Sequence, residues 1–115
     1  MDFLDTTRWV PIHTLPGFES SIEYYISREG EVLSTKGGKE KILKTSLTQS
    51  GYEIVHIRKR LGQRGNSCVT VHKLVAFAFL SPPPTPHGRN KGCSLINHID
   101  GNRQNNCADN LRWIA

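Results

Sequence analysis

The longest mostly apolar run in this chain is Val71 to Leu80 (VHKLVAFAFL), and it is interrupted by His72 and Lys73. At half of the ~20 residues that a membrane-crossing helix requires, it excludes a helical span and leaves room for one short buried helix. Elsewhere ten Gly and six Pro cut the sequence into short segments, so a helical bundle is not expected. A length of 115 residues holds one small domain and too little material for two independent cores. With 37% hydrophobic and 22% charged residues, the chain falls outside the disordered and fibrous classes.

The short segments read as strands. Ile22 to Ile26 is rich in β-formers, Ser27-Arg28-Glu29-Gly30 reads as a hairpin turn with Gly30 at its close, and Glu31 to Thr35 resumes an extended pattern. Gly37-Gly38 breaks the chain again. Lys41 to Thr45 then leads through Ser50-Gly51 into a strand over Tyr52 to Ile57, and one small antiparallel sheet is the economical arrangement. Arg58 to Asn66 reads as a basic turn whose Gly62 and Gly65 permit a tight tip, followed by a strand from Ser67 to Val71. From His72 the period becomes helical, with Leu74, Val75, Phe77, Ala78 and Phe79 as the buried face and Ser81-Pro82-Pro83-Pro84 as the stop. Residues 81–92 form a stiff, polar linker. A short strand over Cys93 to Ile96, a long polar loop from Asp100 to Asp109 and a second strand over Leu111 to Ile114 complete the chain.

The net charge of +5 conceals an asymmetry. Residues 1–35 hold two basic against six acidic side chains, whereas residues 36–91 hold eleven basic against two acidic. Within the basic block Lys41, Lys44, Arg58, Lys59, Arg60 and Arg64 lie on or beside the strand candidates. A block of this kind suits a polyanion, because each neutralised phosphate releases counterions; a solvated basic face is the competing reading. The acids near the start suit either a protein-contact face or solvated surface. Cys68, Cys93 and Cys107 are odd in number and spaced for neither a disulfide framework nor a zinc knuckle, so reduced thiols are expected, with a zinc site the alternative. The amino terminus MDFLDTTRWV is acidic where a secretory signal is basic and apolar, which leads to the expectation of a protein retained in the cytoplasm.

The densest chemistry lies in Asn97-His98-Ile99-Asp100-Gly101-Asn102-Arg103-Gln104-Asn105-Asn106, closed by Asn110-Leu111-Arg112-Trp113. Asn and Asp side chains bond to nearby backbone and stabilise tight loops, so this stretch reads as a self-bonded loop between two short strands, with His98 at the end of the first. A histidine so placed can deprotonate a water, and neighbouring oxygens can hold a hard cation such as Mg²⁺ beside a phosphate. An Asn-rich turn around a structural His is the competing reading.

These residues resemble the HNH endonucleases of phages and mobile introns. The resemblance is carried by Val71 to Ala76 with Phe79, the proline linker, Asn97 to Asn102, Asn105-Asn106 and Asn110 to Trp113. Upstream, Trp9, the Tyr24 to Val32 pattern and Gly51-Tyr52 are similar to the short module that often precedes that nuclease unit. The resemblance implies an α+β fold in one compact domain: a nuclease-associated antiparallel β module over 1–66, then a short buried helix and a ββα-metal unit over 67–115 that lacks its last helix. It implies His98 as general base, Asn97 as a ligand for a divalent metal (Mg²⁺ or Mn²⁺), and Asp100, Asn102, Asn105, Asn106 and Asn110 as braces of the loop. His72 takes a structural role. Double-stranded DNA is the implied partner and nicking hydrolysis in a bacterial host cell the implied activity. Family members continue past the position of Trp113-Ile114-Ala115 into a helix that completes the metal site. The alternative is therefore an inactive phage descendant that binds nucleic acid, a nucleotide or a host defence protein as an anti-defence inhibitor. The edge beside Trp113 offers a place for a homodimer partner.

Overall fold

Two turns of the same design organise the amino-terminal half. In Ser27-Arg28-Glu29-Gly30 the Gly30 N–H donates to the Ser27 carbonyl at 3.1 Å, and the Ser27 hydroxyl accepts the Glu31 N–H at 2.9 Å. In Thr48-Gln49-Ser50-Gly51 the Gly51 N–H donates to the Thr48 carbonyl at 2.9 Å, and the Thr48 hydroxyl accepts the Tyr52 N–H at 3.1 Å. Each turn closes on a glycine with positive φ, +88° at Gly30 and +86° at Gly51, so each is a type I turn followed by a left-handed residue. The hydroxyl at the first position holds the N–H that the turn would otherwise leave open.

The computed structural model describes residues 9–15, 18–58, 67–80 and 95–114. Strands β1 (Trp9–Pro11), β2 (Tyr24–Ser27), β3 (Val32–Ser34) and β4 (Lys41–Ile42) form an antiparallel meander in that order. Strands β5 (Ser46–Leu47), β6 (Glu53–Ile57) and β7 (Ser67–Thr70) form a second antiparallel sheet, and β8 (Leu95–His98) pairs with β9 (Leu111–Ile114) as a third. Helix α1 (Val71–Phe79) leaves β7 without an intervening loop. Among the described residues the class is α+β with antiparallel sheets and one α-helix, as expected. Among the described residues the strands ahead of α1 divide into two sheets where one small antiparallel sheet was anticipated, and β8 and β9 form their own pair. Leu43 makes the last bond to β3, its N–H to the Val32 carbonyl at 2.8 Å, and the chain then leaves that sheet so that Ser46 pairs with Ile54. The strand β1 was not anticipated; it is an edge strand, where the missing N–H of Pro11 is tolerated.

The core gathers Ile12, Phe18, Ile26, Val32, Val55, Ile57, Val71, Leu74 and Val75, all at most 1% exposed. Helix α1 starts at Val71, one residue before the anticipated His72, and packs on β2, β6 and β7 while also reaching β8, β9 and the 3₁₀ turn Ala108–Asn110. Its buried residues are Val71, Leu74, Val75 and Ala76, whereas Phe77, Ala78 and Phe79, expected in the core, are half-buried. The reason lies at the rim of the helix. The ring of Phe77 stacks on Trp113 at 6.0 Å, the Lys73 ammonium lies 5.7 Å from Phe77, and the Arg28 guanidinium sits over Phe79 at 5.2 Å. Aromatic faces that meet cations stay partly open so that the charge keeps its water. Most of the basic turn up to Asn66, with Gly62 and Gly65, the linker 81–92 and Cys93 lie outside the described residues. Among the described residues no helix is long and apolar enough to cross a membrane.

Gly30 joins the first hairpin to the rest of the molecule. A Cβ built on it would lie 3.2 Å from the Asn106 Cβ and 3.4 Å from the Val71 Cγ1, on a backbone that L side chains rarely adopt. We expect Gly30→Ala to destabilise the protein by about 1–3 kcal/mol, from left-handed strain plus the contact. Gly37→Ala, also at positive φ but with nothing within 4 Å, isolates the strain. Urea unfolding of the two variants is the check: equal midpoints would show that the contact with Asn106 contributes nothing.

Candidate functional site

Between β8 and β9 the chain has few apolar residues and holds itself by side-chain amides. The Asp100 carboxylate is the hub. Its Oδ1 accepts the Asn102 N–H at 2.7 Å and the Asn110 Nδ2 at 3.0 Å, and its Oδ2 accepts the Asn105 Nδ2 at 2.9 Å. Asn110, buried, answers with its Oδ1, which accepts the Asp100 N–H at 3.1 Å, while its Nδ2 also donates to the Asn105 carbonyl at 2.9 Å. Asn102 Oδ1 accepts the Gln104 N–H at 3.0 Å. Four of the five residues considered as braces, Asp100, Asn102, Asn105 and Asn110, thus form one connected network. Hydrogen bonds from Asn105, Asn102 and Asn110 hold the Asp100 carboxyl below its usual range, aided slightly by His98 and opposed by desolvation.

The fifth, Asn106, faces the other way. Its Oδ1 lies 2.8 Å from the Nε2 of His98, and both residues are buried. Its Nδ2 donates to Glu53 Oε1 at 3.3 Å, so the amide bridges β8 to the start of β6. An amide oxygen only accepts, which puts the proton of a neutral His98 on Nε2 and the lone pair on Nδ1. Two further rings enclose the imidazole: His72, from the first turn of α1, meets it edge-on at 5.1 Å, and Tyr52 lies 6.2 Å away. His72 and Tyr52 are themselves 5.2 Å apart. Arg103 covers the outer side of Tyr52, its guanidinium 4.8 Å from the ring, and donates to the Ser50 carbonyl. Chemically, the result is a rigid imidazole with one defined lone pair, suited to taking a proton from a water or hydroxyl.

Asn97, the neighbour of His98, is half-buried on β8, where its Oδ1 accepts the Arg112 Nε–H of β9 at 3.0 Å. Among the described residues no three His, Cys, Asp or Glu side chains converge to hold a metal ion. The remaining lone pair of Asn97 is a neutral ligand beside a guanidinium, and the Asp100 oxygens already accept three hydrogen bonds. The described donor set therefore does not by itself form a site for Mg²⁺ or Mn²⁺. Cys68 and Cys107 are free thiols. Lys41 and Lys44 are exposed on and after β4, and Arg58 follows β6. The Arg58 N–H donates to the Tyr24 hydroxyl, and Tyr24, Ser34 and Lys41 form one cross-strand row, so Arg58 and Lys41 belong to connected parts of the two sheets. Lys59, Arg60 and Arg64 lie outside the described residues.

Sequence reasoning missed Glu53, Tyr52 and Arg103. Glu53 sits 53 positions before its partner Asn106, a separation at which neither periodicity nor spacing carries a signal. Gly51-Tyr52 was noticed as a motif, but its ring had no assigned place.

The NUMOD4 motif matches residues 8–58. The DNA endonuclease I-HmuI of Bacillus phage SP01 is 36% identical over 101 residues, which covers 88% of this chain and 50% of that protein. An uncharacterized HNH endonuclease of Acanthamoeba polyphaga mimivirus is 32% identical over 97 residues, 84% of this chain and 26% of that one. Among solved structures, the HNH homing endonuclease I-HmuI in its work on DNA binding and cleavage superposes with a TM-score of 0.66 at 33% identity, covering 93% of this chain and 52% of the other. The chain thus spans half or less of the length of these two curated relatives.

The Asp100 hub generates a pH signature. Its folded pKa lies below the usual 3.8, so its stabilisation is complete above that value and is lost as the pH falls through the lower folded value. Asp100→Asn removes the titration and turns an amide N–H₂ toward donors. We expect the variant to unfold at lower urea than the native protein at pH 7, with the gap narrowing below pH 3.8. A gap that stays constant over that range would contradict the assignment of the hub to a charged carboxylate.

Proposed function

Since the chain belongs to the family of the HNH homing endonucleases, we propose that it hydrolyses a phosphodiester bond of double-stranded DNA, nicking one strand, with His98 as the general base. The observation that carries the reading is the buried 2.8 Å contact of His98 Nε2 with Asn106 Oδ1, which leaves Nδ1 as the basic nitrogen. In this reading Nδ1 takes a proton from water, the hydroxide oxygen bonds to phosphorus, and the bond from phosphorus to the oxygen of the departing strand end breaks, that oxygen keeping the electron pair and taking a proton from solvent. Asp100, Asn102, Asn105 and Asn110 hold the loop while this happens, and His72 and Tyr52 keep the ring from turning. The family relationship brings a divalent cation, Mg²⁺ or Mn²⁺, into the reading, with Asn97 as its contact on this chain. No step is assigned to the cation.

The exposed Lys41 and Lys44, together with Arg58 and, from the sequence, Lys59, Arg60 and Arg64, are the proposed phosphate contacts. Such contacts set the register of the protein on the duplex and do not read its sequence. A second reading, DNA binding without cleavage, is favoured by one observation: the Arg112 donor on Asn97 Oδ1, which competes with a metal for that oxygen.

Nicking of supercoiled plasmid with Mg²⁺ or Mn²⁺ separates the two. We expect nicked circles from the native protein and none with EDTA, with His98→Ala slower by about 10²-fold or more. Failure of the folded native protein to nick would favour the binder. For the basic contacts, each lost phosphate lowers the slope of log K against log salt by about 0.9. The double variant Lys41→Ala, Lys44→Ala should therefore flatten that slope by about 2 units, and an unchanged slope would remove both residues from the interface.

A further inference from the structure

We infer that Glu53 is a positioning residue for His98: by holding the Asn106 amide in one orientation it keeps the imidazole proton on Nε2. The inference rests on the reading of His98 as the base, although the tautomer itself can be observed without any cleavage. A carboxamide is nearly symmetrical in shape, so packing alone does not decide which end of Asn106 faces His98. The other end decides it. Glu53 Oε1 stands 3.3 Å from Asn106 Nδ2, and a carboxylate accepts without donating, so only the NH₂ end can face it. Oδ1 is then left toward His98 at 2.8 Å. With the amide reversed, its NH₂ would donate to Nε2, and the proton of the neutral ring would have to move to Nδ1, removing the lone pair that the base needs.

Among the described residues the Glu53 side chain makes no other hydrogen bond or ion pair, so its carboxylate is not engaged by a lysine or arginine there. It is fixed in place as the first residue of β6, paired across the sheet with Leu47. The groups around His98 are His72 from α1, Tyr52 and, through Asn106, Glu53 from β6, and Asp100 from its own loop; Arg103 lies over the Tyr52 ring and donates to the Ser50 carbonyl. Of these, Glu53 is the group hydrogen-bonded to the amide that sets the tautomer. The upstream β module, within the span of the NUMOD4 motif, thereby supplies a part of the site in addition to any contact with DNA.

The test is ring ¹⁵N NMR of His98 above its titration, in the native protein, Glu53→Gln, Glu53→Leu and the double variant Glu53→Leu, Asn106→Asp. Native protein and Glu53→Gln, which retains an acceptor, should show the Nε2–H form. Glu53→Leu should show mixed tautomers or the Nδ1–H form, and the added Asp, an acceptor whichever way it turns, should restore Nε2–H. Where the native protein nicks, Glu53→Leu should lower kcat by at least about tenfold at unchanged KM, and Glu53→Gln should recover most of the loss. A His98 ring that stays wholly Nε2–H in a folded Glu53→Leu overturns the inference. Absence of nicking by the native protein bears on the proposed function and leaves the NMR comparison decisive for Glu53.

Discussion

An amide oxygen accepts hydrogen bonds and never donates them, and the arrangement around His98 rests on that asymmetry at Asn106. The oxygen can be aimed only because the whole amide is confined. Gly30 lies against its Cβ, Glu53 takes its N–H₂, and the Ala108 N–H donates to the Arg28 carbonyl at 2.7 Å just beyond it. A hairpin turn, a strand start and the loop itself therefore meet at one residue that is 3% exposed. Partly satisfied buried polar groups are costly, and this one has both ends occupied.

The β8–β9 pair would not stand alone, since two short strands bury too little to persist in water. Two things support it. Phe77 of α1 stacks on Trp113 from one strand, and the amide network around Asp100 ties the loop that joins them. Within that network Asn110 is the buried member, and leaving one of its amide groups unpaired costs about 1–3 kcal/mol, comparable to deleting part of an apolar side chain. Polar bonds here do the work that apolar packing does around α1. The ion pair of Arg28 with Asp109, by contrast, is exposed and contributes about 0–1 kcal/mol.

Much of this was legible because the signals are local. Gly30, Gly51 and Gly101 marked turns by conformational need, the proline run marked the end of the helix, and the density of Asn and Asp between 97 and 110 marked a self-bonded loop around His98. What was not legible depends on distance along the chain or on which neighbour wins. Glu53 and Tyr52 look like ordinary strand residues, and only the fold brings them to His98. The break at Leu43 that separates the first two sheets rests on one backbone bond to Val32, for which the sequence has no marker. Phe77 and Phe79 fit a helical period as core residues, yet cations of Lys73 and Arg28 took their outer faces.

The Ser27–Gly30 turn has a bearing on how chains of this kind can change length. A tight turn at the end of a hairpin is ordinarily where residues are gained or lost at little cost, because its tip meets only water. Gly37 and Gly38 fit that description, with nothing within 4 Å of the positions a side chain would occupy. The turn at Gly30 does not, since its glycine is pressed on Asn106 and its Arg28 carbonyl caps the next loop. One extra residue there would shift both contacts at once, so the length of the Ser27–Gly30 turn is set by a residue more than seventy positions away rather than by the hairpin it closes.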